Sequence, residues 1–140
     1  MIQRIQTIWL LIAGALGLTS LKTSFFMGHR INDATKTNVF VNGSYNILLI
    51  TATTAFAFIA LIAIFMYKNR KMQLKMTIIS MLISIGTIGL YFWQKQSFIP
   101  EESSITLTAI ISPAIPVFLF LAARNIWKDE KLVKSVDRLR

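Results

Sequence analysis

Residues 47–67, ILLITATTAFAFIALIAIFMY, decide what kind of protein this is. They contain no charged residue, no glycine and no proline. As a helix rising about 1.5 Å per residue, such a stretch matches the roughly 30 Å hydrocarbon core of a bilayer. With its flank it forms an uncharged segment over residues 45–67, 23 residues long. Three further segments lack Asp, Glu, Lys, Arg and His: residues 5–21, 76–93 and 105–123, of 17, 18 and 19 residues. Each falls within the span length a bilayer accepts, roughly 17–25 residues. Lipid offers no water to an unpaired backbone group, so each is expected to be a helix.

The expected fold is therefore all-α: a four-transmembrane-helix bundle forming one membrane domain over residues 1–140, with a tail over residues 124–140. The first segment reads as a retained helix rather than a cleaved leader, because Leu18-Thr-Ser-Leu-Lys22 offers no small-x-small processing site.

Composition agrees, with one apparent conflict. The chain is 54% hydrophobic and only 15% charged, yet its formal net charge is +9. Low apolar content is what disorder requires, and Cys is what a disulfide scaffold or thiolate zinc site requires. Neither condition is met, since the chain has no Cys. Sorting cations by segment resolves the conflict. Arg4, the second connection (Lys68, Arg70, Lys71, Lys75) and the tail (Arg124, Lys128, Lys131, Lys134, Arg138, Arg140) fall on one side of a four-span topology, 11 in all. The other side holds Lys22, Arg30, Lys36 and Lys95. The positive-inside rule puts the first set in the cytoplasm, so both termini are expected there. Such a face attracts anionic headgroups at about 1 kcal/mol per cation near the surface, which accounts for the charge without nucleic acid. Trp9, Trp93, Trp127, Tyr45, Tyr67 and Tyr91 stand near the span ends, as interface anchors do.

Within the spans, Thr77, Ser80, Ser84 and Thr87 recur at helical spacing on one face of the third. Thr53, Ala57 and Ala60 on the second, with Gly14 and Gly17 on the first, complete an expected packing seam of small and hydroxyl residues. Gly86 and Gly89 read as further packing glycines. Ser112, Pro113 and Pro116 mark a candidate helix break near the middle of the fourth span, where two backbone donors are missing.

In the first outer connection, Thr37-Asn-Val-Phe-Val-Asn42-Gly43-Ser-Tyr45 alternates around Asn-Gly, the signal of a short β-hairpin. The tail from Ile126 reads as helix continuing out of the fourth span, with Leu132, Val133, Val136 and Leu139 as an apolar stripe, an amphipathic C-terminal helix fit to lie on the leaflet or against a partner.

Signs of chemistry are few. No span carries a charge, the default marker of an ion or proton path. His29, the sole histidine, lies in an outer loop, with only Asp33, Glu101 and Glu102 as acids on that side. No catalytic site, cofactor or metal is expected. The leading expectation is a non-enzymatic subunit, scaffold or assembly factor of a membrane complex, with a membrane-protein partner or a second copy. Its contact surface would be Lys68, Arg70, Lys71, Lys75 and the tail stripe. The alternative is a small transporter or lipid-handling protein that uses the fourth helix at Ser112, Pro113 and Pro116.

The two ends add a resemblance. MIQRIQTIWLL over residues 1–11 and WKDEKLVKSVDRLR over residues 127–140 resemble the hallmark ends of a small uncharacterised membrane-protein family of Bacteroidetes-type bacteria. The resemblance covers the whole chain. It implies four spans, a basic C-terminus and an inner-membrane location, and it brings no activity or catalytic residue.

Overall fold

A computed structural model of the protein describes residues 2–31 and 37–137. Four helices dominate: α1 (Ile2–Ser20), α2 (Ile47–Phe65), α3 (Arg70–Lys95) and α4 (Ile111–Asp137). Three short strands, β1 (Ser24–Gly28), β2 (Val39–Asn42) and β3 (Ser104–Ile105), gather at one end. Three helical stretches, Ile47–Phe65, Arg70–Lys95 and Leu107–Val133, are long and apolar enough to cross a membrane. Ile5–Ser20 is a shorter apolar helix, which at about 1.5 Å per residue covers roughly 24 Å.

Each helix packs on two others, α1 against α2 and α4, and α3 against α2 and α4. One face of each is buried at helical spacing: Leu10 and Ala13 on α1, Phe56, Ala57, Ala60 and Ala63 on α2, and Ile115, Leu119, Ala122 and Ile126 on α4. The outward faces are also apolar. Phe58, Phe65, Leu82, Phe92 and Phe120 are all more than half exposed. In water, large apolar patches of this kind would drive association, whereas lipid accepts them.

The hydroxyl stripe of α3 is buried as its spacing implies, with Thr77, Ser80, Ser84 and Thr87 all at 4% exposure or less. Its bonding is mostly internal. Thr77, Ser84 and Thr87 donate to carbonyls of their own helix (Gln73, Met81 and Ile83), and only Ser80 crosses, donating to the Phe56 carbonyl of α2 at 2.8 Å. Back-bonding satisfies a hydroxyl in an apolar interior without a partner helix.

Two of the four expected packing glycines play that role. A Cβ on Gly17 would stand 2.6 Å from the Phe56 ring, and one on Gly14 would stand 2.7 Å from Leu61. These absences let α1 approach α2. Gly86 and Gly89 face open space, so the expectation for them fails: they lie outside the phase of the α3 stripe.

The hairpin expectation is corrected in its turn. β2 does precede Asn42-Gly43, but it pairs antiparallel with β1, upstream, across the connection that begins at His29. Asn42-Gly43 instead closes α1 and leads into α2. The Gly43 amide donates to the Ser20 carbonyl and the Ser44 hydroxyl to the Leu21 carbonyl, satisfying acceptors that the end of α1 leaves open. A Cβ at Gly43 would meet the Ser20 oxygen at 2.9 Å. β3 arrives from the α3–α4 connection to pair with β1, giving the order β2-β1-β3. Both connections at this end thus share one small sheet. A register shift between Ser24 and Phe26 lets Phe25 and Phe26 both be buried despite their adjacency. Phe25 stacks on Tyr91 with ring centres 4.5 Å apart, and Phe26 meets Phe98 edge-on.

α4 also departs from expectation. Instead of a break at mid-span, a 3₁₀ turn (Leu107–Ile110) gives way to an α-helix that continues from Ile111 through Pro116 to Asp137. Pro113 falls in the first turn, where a missing amide costs little. Pro116 alone deprives the helix of an interior donor. The tail continues this helix as far as Asp137, which agrees with its reading as helix running out of the fourth span.

Candidate functional site

The end of the helices opposite the sheet carries the chain's buried polar groups of greatest chemical interest. On α4 the buried series Ile115, Leu119, Ala122, Ile126 advances by four, three and four, and the next step inward is Asp129, which is 5% exposed. On α1 the series Ala13, Leu10 ends at Gln6, and on α3 the hydroxyl stripe ends at Gln73; both glutamines are buried. Three helices therefore finish their inward faces with a polar side chain at the same end.

These groups are joined. The Gln6 carboxamide donates to the Asp129 carboxylate, linking α1 to α4 across nearly the whole sequence. The Arg70 guanidinium, at the start of α3, donates to the Asp129 backbone carbonyl at 3.1 Å. A buried carboxylate is costly unless hydrogen-bonded, and the amide supplies such a bond. The consequence is mechanical: α1, α3 and α4 are fastened where their ends meet.

Beside this cluster a cleft of about 570 Å³ opens between α1 and the α2–α3 turn. Gln6, Thr7, Tyr67 and Gln73 supply its polar lining; Ile8, Ile64 and Phe65 supply the apolar part. Its volume lies within the range of small-molecule sites, roughly 300–1,000 Å³.

The sequence-predicted residues distribute as follows. Lys68, Lys71 and Lys75 are exposed around the rim of this end, while Arg70 is half-buried and turned to α4. Leu132 and Val133 are exposed one turn beyond Asp129. Val136 stands in the last helical turn, and Leu139 lies outside the described residues. The basic connection and the tail are thus brought together, through Arg70 and Asp129. Ser112, Pro113 and Pro116 lie towards the other end. There a cavity of about 10 Å³ is lined by Ser20, Phe56, Ser84, Thr87, Tyr91, Ser112 and Ile115, among others. That is room for a single water molecule. His29 sits at the sheet end, where its carbonyl accepts from the Ile99 amide; Asp33 lies outside the described residues. Among the described residues, no three His, Asp or Glu side chains are grouped closely enough to hold a metal ion.

Asp129 and Gln6 are the residues that sequence reasoning missed. Counting charge by segment places Asp129 in the tail over residues 124–140 and gives it no role. The signal that would have found it is phase, since it stands in register with Ile115, Leu119, Ala122 and Ile126.

Residues 2–139 match the family described as domain of unknown function (DUF4293). The chain belongs to the DUF4293 family. The match takes in both chain ends, Gln6, Asp129 and the cleft, so the polar end lies wholly within the DUF4293 region. No curated protein and no solved structure matches the chain.

Proposed function

We propose that this DUF4293 protein is a non-enzymatic, multi-pass protein of a bacterial inner membrane, a subunit, scaffold or assembly factor of a larger membrane complex. In this reading α1, packed between α2 and α4, spans with the other three helices. The N-terminus, the α2–α3 turn and the C-terminal end of α4 face the cytoplasm. The observation that carries the proposal is the contact of Arg70 with Asp129. It fixes the basic turn against the end of α4, so that exposed Lys68, Lys71 and Lys75 and exposed Leu132 and Val133 form one mixed basic and apolar surface on a braced support. Such surfaces suit a partner protein's acidic and apolar groups, or an anionic leaflet.

The test is co-purification in mild detergent, comparing the native chain with a Leu132→Glu, Val133→Glu variant. The proposal expects a defined set of membrane proteins to accompany the native chain and to be lost from the variant. A native chain that runs alone, or retention of the same set by the variant, would refute it.

The transporter reading draws little support from α4. The helix continues through Pro116, and the cavity beside Ser112 of about 10 Å³ is far below substrate size. The groove of about 290 Å³ that Pro113 lines has only apolar side chains, with no polar group to orient a substrate.

A further inference from the structure

We infer that the cleft between α1 and the α2–α3 turn is a binding site for one anionic phospholipid. The inference rests on the membrane reading above and adds to it a specific ligand and place.

Three observations converge. The cleft is two-faced in the sense a phospholipid is. Gln6, Tyr67 and Gln73 stand at the helix ends, where headgroups lie, and Ile8, Ile64 and Phe65 lead inward along the helices. The apolar wall continues beyond the cleft: Leu11 stands a turn past Ile8 on α1, and Ile62 and Phe58 stand one and two turns from Phe65 on α2, all about half exposed. An acyl chain has a track to follow there. Charge supplies the third observation. The lining carries no acid, Lys68 directly follows Tyr67, and Lys71 lies in the first turn of the helix that presents Gln73; both lysines are exposed. The Gln73 carboxamide, the Tyr67 phenol and the one Gln6 amide hydrogen not given to Asp129 can donate to phosphate oxygens, and the adjacent lysines favour a headgroup with net negative charge over a zwitterionic one. Gln6 is held by its bond to Asp129, so its half of the site is formed before the lipid arrives.

The test is native mass spectrometry of the detergent-purified chain with added dioleoyl-phosphatidylglycerol or dioleoyl-phosphatidylcholine. One retained phosphatidylglycerol per chain is expected, preferred roughly tenfold over phosphatidylcholine. Ile8→Trp, at an exposed position, fills the cleft and should abolish retention of either lipid while leaving helicity and melting unchanged. Lys68→Glu with Lys71→Glu should erase the preference and leave a phosphatidylcholine adduct. Equal retention of both lipids by the native chain, or full retention by Ile8→Trp, would overturn the inference. So would a native dimer that Ile8→Trp dissociates, since the cleft would then belong to a second copy. Alkaline carbonate extraction of the native chain from cell membranes reports separately on the membrane reading: a chain left in the pellet that shows no lipid preference refutes only the site.

Discussion

At the scale of single residues, small absences and one buried pair set how the helices meet. Gly17→Ala should lower stability by about 1–3 kcal/mol, because the new methyl meets the Phe56 ring and forces α1 from α2. Gly86→Ala is the contrast. It faces open space and exchanges glycine for a better helix former, so it should be neutral or raise stability by up to about 1 kcal/mol. Thermal unfolding in detergent, followed by circular dichroism, reads both. Spacing alone treats the pairs Gly14/Gly17 and Gly86/Gly89 alike; only the position of a neighbouring helix separates them. Asp129 makes the same point from the polar side. Asp129→Leu should cost about 1–3 kcal/mol by leaving the buried Gln6 amide without its acceptor, and Asp129→Asn should cost much less. Adding Gln6→Leu to Asp129→Leu should recover part of the loss, and strict additivity of the two changes would show that the pair is not coupled.

At the scale of elements, α4 holds the sharpest expectation. Pro113→Ala should cost about 0.4–1 kcal/mol, since a first-turn proline stabilises by restricting the unfolded chain. Pro116→Ala should move stability the other way by restoring a donor for the Ser112 carbonyl. Opposite shifts in melting temperature would support the unbroken helix, and a loss of comparable size at both positions would count against it. The helices themselves were legible because charge-free runs and helical spacing are local signals. The sheet was legible only in part. Val39–Asn42 alternates as a strand should, but β1 pairs with it across a long connection and with Ser104–Ile105 across most of the sequence. Phe25 and Phe26 break the alternation through the register shift that buries both. Asn42-Gly43 has the composition of a hairpin turn yet serves as the cap of α1, a role set by where α1 ends in space.

At the scale of the whole molecule, the two ends of the helix array differ in kind. One is closed by a small aromatic-rich sheet; the other is a polar cluster ringed by exposed lysines. The segment-by-segment charge count anticipated that asymmetry, because a membrane orientation is written in which connections carry Lys and Arg. It sets the basic turn and the tail on one side, but the contact of Arg70 with Asp129 that joins them is beyond it, since charge counting carries no phase. The central claim is that four helices span, with the basic end in the cytoplasm. The absence of native cysteine makes its test direct. Single cysteines at Gln3, Lys71, Gln96 and Lys131 would be probed with a membrane-impermeant maleimide in spheroplasts before and after lysis. The account expects Gln96→Cys to label in intact spheroplasts and the other three to label only after lysis. Labelling of Gln3→Cys, Lys71→Cys or Lys131→Cys from outside, or protection of Gln96→Cys until lysis, would contradict it.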